Sequence, residues 1–177
     1  MSAYDLHERA ASIVSDAGGE LIGRTRLQKV AYLSRLAGFS DEFEFEYRHY
    51  GPFSDDLADA MKLATGLKLV TEEERRTDWG GWYSVFTTVQ QDGVRNLERA
   101  NFISAAARIG AIELELAATA AFLFEVEGFG KDGKDDPWEE TARRKPEKAG
   151  NGRLQKARIA FRKLREIPTP IPLPEIV

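Results

Sequence analysis

The sequence predicts an α+β protein that is mostly helical, and three observations lead there. Phe43, Phe45, Tyr47 and His49 alternate with Glu44, Glu46 and Arg48, the period-2 pattern of a half-buried strand, and run into a corner at Gly51-Pro52-Phe53-Ser54. Two further apolar runs, from Leu67 and from Trp82, flank the turn residues Asp78-Trp79-Gly80-Gly81. The half of the chain beyond Ala100 reads as helices separated by glycine and proline.

The first helix is expected over residues 4–17, with Leu6, Ala10, Ile13, Val14 and Ala17 on one face and Gly18-Gly19 as its stop. Thr25-Arg26-Leu27-Gln28 fits a capping box, with Gln28 reaching back to the N-cap. The helix it opens would bury Leu27, Val30, Ala31, Leu33 and Leu36 and close at Gly38. Gly51-Pro52 is expected to end the following strand with His49 on its inward face, because proline lacks a ladder N–H. Ser54 is the expected cap of a third helix, with Asp55 and Asp56 in its first turn, Phe53 stapled onto the next turn, and Leu57, Ala58, Met61 and Ala64 inward. The hairpin of Leu67–Val70 with Trp82–Phe86 follows. Helix, helix, strand, helix, hairpin is the order of a winged helix, so residues 1–101 are expected to form a winged-helix-like half with the hairpin as wing.

Thr87 or Thr88 is a candidate cap for a further helix through Asn96 and Leu97. A short helix over Ala100–Arg108 ends at Gly110, and Ala111–Glu127, apolar on almost every side, is expected to be the central buried helix. Gly128–Asp136 is a loop, Pro137 opens a short helix at N1, and Arg153–Glu166 is a basic helix burying Leu154, Ala157, Ile159, Phe161 and Leu164. Residues 102–166 therefore form a helical region packing on the first half. Residues 167–177 alternate proline with other residues and must be extended, as a free tail or a strip docked on a surface.

Composition narrows the chemistry. With 177 residues the chain is long enough for a core of its own, and without cysteine it has no disulfide, thiolate metal ligand or thiol nucleophile. The first turns carry Asp5, Glu8 and Arg9 rather than an apolar stretch, so no secretory leader is expected. Leu114–Val126 is too short to span a bilayer and is interrupted by Glu115 and Glu125; the cytoplasm is the expected location. The net charge of −4 conceals a segment, Arg143–Arg165, with ten basic residues against Glu147, leaving −13 for the remainder. Such a split points to a charged partner or to docking of the segment on its own chain.

No catalytic grouping stands out. His7 and His49 have no second ligand at metal-binding spacing, so no metal or cofactor is expected. Lys131–Asp136 lacks the alternating acids and terminal glutamate of a calcium loop. Glu44 and Glu46 share a strand face but have no evident partner base, and an edge-strand role suits them better. DNA binding is opposed by charge. The helix that would enter the groove carries Asp55, Asp56 and Asp59 against Lys62, and the wing carries Glu72, Glu73 and Glu74 against Arg75 and Arg76.

Leu27-Gln28-Lys29 on an early helix, followed by Tyr47-Arg48-His49-Tyr50-Gly51-Pro52-Phe53-Ser54, resembles the YwgA-like group of bacterial proteins, itself similar to the Panacea domain of SocA-like antitoxins. Glu113–Thr119 looks like that family's central helix, and Arg144-Lys145-Pro146 looks like the start of its C-terminal segment. Pro137-Trp138 lacks the preceding histidine usual in Panacea proteins, and Phe53 stands where they tend to have valine, which favours the YwgA-like branch. The resemblance implies a non-enzymatic protein-binding module, antitoxin-like or an adaptor, linked to toxin–antitoxin or defence loci, whose partner is a toxin or a protease complex. Of the motif residues, Leu27, Gly51, Pro52 and Ser54 are expected to be structural. Gln28, Lys29 and Tyr50 have polar groups to spare, and with Phe53 they are the expected partner contacts.

Overall fold

A computed structural model describes residues 5–88, 96–131 and 133–176. Helix α1 (Leu6–Asp16) turns through Gly18-Gly19 into a short strand, β1 (Glu20–Ile22), absent from the sequence reading because three residues are too few to show a period. Helix α2 (Arg24–Leu36) starts one residue before the expected capping box. Its N-cap is Gly23, at φ +100°, and Gln28 turns away from the helix start. Arg26 stabilises this entry instead, donating to Ile22 O at 2.8 Å and to Ala107 O at 2.9 Å.

The stretch around residue 50 is a tight hairpin rather than the end of one strand. Strand β2 (Glu46–Arg48) pairs antiparallel with β3 (Gly51–Phe53), Tyr47 opposite Pro52 and Arg48 opposite Gly51. His49 and Tyr50 form the two-residue turn, so His49 is exposed rather than inward. Pro52 is tolerated one position beyond the turn-closing pair, where the antiparallel alternation uses no N–H. Helix α3 (Asp55–Gly66) starts as expected: Leu57 N donates to Ser54 Oγ at 3.2 Å. It buries Leu57, Ala60, Met61 and Ala64, with Ala60 in place of the expected Ala58.

Strands β4 (Val70–Arg76) and β5 (Trp82–Thr88) form the expected hairpin, and β1 adds to the outer side of β5 in the order β1-β5-β4. Thr87 and Thr88 belong to β5. Residues 89–95, where the sequence would start the next helix, lie outside the described residues. Helix α4 (Leu97–Ala107), capped by Asn96 accepting from Arg99 N at 3.0 Å, spans residue 101.

Helix α5 (Ala111–Glu125) is the centre of the molecule, buried at every position from Leu114 to Leu123. It packs against α2, against β3, and against α6 (Pro137–Arg144), α7 (Pro146–Ala149) and α8 (Arg153–Arg165). Its alanines let these neighbours approach closely. Helix α8 buries Ala157, Phe161 and Leu164. Leu154 is only half-buried, and Ile159, expected in the core, is 42% exposed. The proline strip docks: Ile171 N donates to Ala37 O at 3.0 Å, Arg165 Nε to Leu173 O at 3.2 Å, and Leu173 is buried. The structure is thus α+β with small antiparallel sheets. Among the described residues no helix is long and apolar enough to cross a membrane.

Candidate functional site

The two motif segments meet. Residues Gln28 and Lys29, in the first half of α2, face the β2–β3 hairpin, and their polar groups are consumed there. The side-chain amide of Gln28 brackets one residue: Nε2 donates to Ser54 O at 3.0 Å and Oε1 accepts from Ser54 N at 2.8 Å. Next to it, Lys29, 1% exposed, donates from Nζ to Pro52 O at 2.8 Å. That carbonyl is free because Pro52 sits where the ladder makes no bonds. The expectation that Gln28 and Lys29 have polar groups to spare is therefore corrected: both are buried and bonded to the hairpin backbone.

The other wall comes from α5 and the α6–α7 junction. Glu115 and Thr119 lie one turn apart on the same face of α5. Lys145 Nζ donates to His49 O at 2.9 Å and to Glu115 Oε1 at 2.8 Å, and Lys148 Nζ donates to Glu115 Oε2 at 2.7 Å. Gly51, at φ +89°, presses its backbone on Thr119; a Cβ there would stand 2.5 Å from Thr119 Oγ1. Only glycine meets both demands. The hairpin is thus held by buried side chains on both flanks, which suits a pair whose own two short strands would be marginal.

The electrostatics follow from that burial. Desolvation pushes the Lys29 amine down to about 8; Glu115 opposes the shift, while Lys145 and Lys148 add to it. Tyr32, buried among Phe45 and Phe122, has its hydroxyl pushed well above the usual phenol range, chiefly by desolvation.

Outside the clamp the four expected contact residues border one cleft of about 380 Å³, between α2, the hairpin, α3 and the sheet. Leu27, Phe53, Met61 and Phe86 supply apolar walls, with Arg24, Lys62 and Glu72 beside them. Arg24 Nε donates to Glu72 Oε1 at 2.7 Å, which also accepts from Ser84 Oγ at 2.7 Å. Tyr50 is 49% exposed, edge-on to His49, with Lys148 Nζ 4.8 Å from its ring centre. The Arg48 guanidinium lies over Phe53 and pairs with Asp55 at 2.7 Å.

The groups considered for acid–base chemistry do not converge. Glu44 and Glu46 are exposed beside Arg35 and Arg48, and His49 is exposed in the turn. In the loop before α6, Asp135 pairs with Arg143 and Asp136 caps α6, while Asp132 lies outside the described residues. No group of three or more potential metal ligands forms among the described residues.

Sequence reasoning missed the Glu115–Lys145–Lys148 cluster. The signal was a carboxylate inside an otherwise apolar helix, since such a charge needs a buried partner.

The chain is similar to YwgA. That protein, "Uncharacterized protein YwgA" of Bacillus subtilis (strain 168), is 26% identical over 95 residues, 54% of this chain and 55% of the relative. The chain therefore spans about half the length of the curated relative it matches. No protein-family model and no solved structure matches it.

Proposed function

We propose that the chain is a non-enzymatic protein-binding module, an antitoxin-like or adaptor protein, that receives an apolar side chain of its partner in the cleft beside Tyr50. The observation carrying this reading is the cleft itself: apolar walls with a half-exposed tyrosine at the edge of a hairpin clamped from two sides. Aromatic residues beside a preformed pocket are the usual anchors of protein interfaces, and a rigid wall loses little entropy on binding. Gln28 and Lys29 act here as positioning residues, and Tyr50 and Phe53 as the contacts. The link to Panacea-type antitoxins, with a toxin or protease complex as partner, extends the same reading.

The test is purification of tagged protein from its native host, with and without nuclease, for the wild type and Tyr50→Ala. A stoichiometric protein that survives nuclease and drops about tenfold with Tyr50→Ala is expected. Equal recovery by both rules the cleft out.

A DNA-binding reading rests on one observation. We read α1, β1, α2, α3 and the β4–β5 hairpin, with β1 on β5, as winged-helix-like in order. The exposed acids of α3 oppose it. A DNA complex that weakens steeply with salt and leaves no protein in the eluate would favour that reading instead.

A further inference from the structure

The ten cations of the Arg143–Arg165 segment divide into two sets. Arg143, Arg144, Lys145 and Lys148 pair with Asp135, Glu115, Glu127 and Glu140; Arg165 bonds the proline strip; Arg158 lies over Trp138. Four remain on α8, namely Arg153, Lys156, Arg162 and Lys163, and these have no ion pair among the described residues. Lys156 and Lys163 are two turns apart on one stripe, with the exposed Ile159 between them and Ile167 beyond. That stripe forms one wall of a groove of about 550 Å³, facing Arg108 and Ile109 at the end of α4. The groove shares no lining residue with the cleft beside Tyr50.

We propose that this groove docks an acidic amphipathic helix of a partner protein. Charge selects the occupant: Arg108, Lys156 and Lys163 stand against one acid, Glu113, which belongs to the first turn of α5. Spacing agrees. Lysines seven residues apart are about 10 Å apart along α8, the separation of carboxylates two turns apart on a second helix, whose apolar residues between them would fall on Ile159. Nucleic acid fits less well, because a phosphate backbone gives nothing to the floor of Ile109, Ile159 and Ile167, which would be buried without gain.

The test uses a fluorescein-labelled helical peptide of about 18 residues, with leucines at i, i+3, i+4 and i+7 flanked by glutamates, read by anisotropy against the full-length protein. Controls are a scrambled peptide of identical charge, a DNA duplex of similar charge, and vesicles containing anionic lipid. Saturable binding is expected, weakened about tenfold or more by scrambling, by Ile159→Asp and by Lys156→Glu with Lys163→Glu. Both variants are exposed substitutions, and an unchanged melting temperature keeps them interpretable. Absence of saturable binding, equal binding of the scrambled peptide, or indifference to Ile159→Asp overturns the proposal. Preference for DNA or vesicles over the peptide overturns it as well and assigns the basic face to that ligand.

Discussion

At the scale of single residues, the buried amine of Lys29 is a measurable liability. Its folded-state pKa of about 8 lies below the ordinary 10.5, so the fold favours the neutral form. Below about pH 8 the amine is protonated in both folded and unfolded chains and the desolvation cost stands in full. Between the two values only the unfolded chain keeps the proton, so stability rises with pH. Lys29→Met abolishes the titration and leaves Pro52 O unsatisfied at every pH, a constant offset. The difference in unfolding free energy between wild type and Lys29→Met should therefore shift in favour of the wild type, by roughly 3 kcal/mol, between about pH 7.5 and 10.5. Urea titrations across that range measure it, and a flat difference refutes it. A lysine followed by two apolar residues on a helix gives no local sign that it faces a carbonyl rather than water. The spare-group reading of Lys29 and Gln28 failed for that reason.

At the scale of elements, the β2–β3 hairpin is shaped by α5. Gly51→Ala would place a methyl group 2.5 Å from Thr119 Oγ1 at a positive φ. The expected cost is about 2 kcal/mol or more. Thr119 Oγ1 is buried and has no hydrogen-bond partner, so Thr119→Ala gives up no bond and opens room. The double variant should recover about 1 kcal/mol relative to the sum of the singles in a denaturation cycle. Strict additivity would show that the two residues do not press on each other. The cap of α3 at Ser54, the start of α6 at Pro137 and the buried length of α5 were legible in sequence, because caps and periodicity are written within one or two turns. β1 was not, being too short to show a period, whereas the outward turn of Ile159 was written in the spacing and misread: at about 100° per residue it lies well over a quarter turn from Ala157, Phe161 and Leu164, on the opposite face of α8.

At the scale of the whole molecule, Glu115 ties the two halves together. It neutralises Lys145 and Lys148 from the C-terminal segment, and Lys145 in turn holds His49 O of the hairpin. Removing one partner of a buried ion cluster strands the others. Glu115→Gln should cost about 3–5 kcal/mol and lower a single cooperative transition, seen at the same midpoint by circular dichroism and tryptophan fluorescence. Two separated transitions would mean that the halves unfold independently. The same cluster answers part of the charge split: the first cations of the basic segment dock on the chain's own acids, and Arg153, Lys156, Arg162 and Lys163 of α8 make no ion pair among the described residues.

The sequence by itself determined the class of the fold, the order and faces of its principal helices, the β4–β5 hairpin and the serine cap, since periodicity, capping and turn chemistry act over neighbouring residues. Only the tertiary structure decided that Gln28 and Lys29 clamp a hairpin, that Glu115 collects two lysines, that the proline strip docks by Ala37, and that one face of α8 is left unpaired. Those contacts join residues 23 to 96 positions apart, or more, and residue type alone does not say which distant carbonyl or carboxylate a lysine will meet once the core closes.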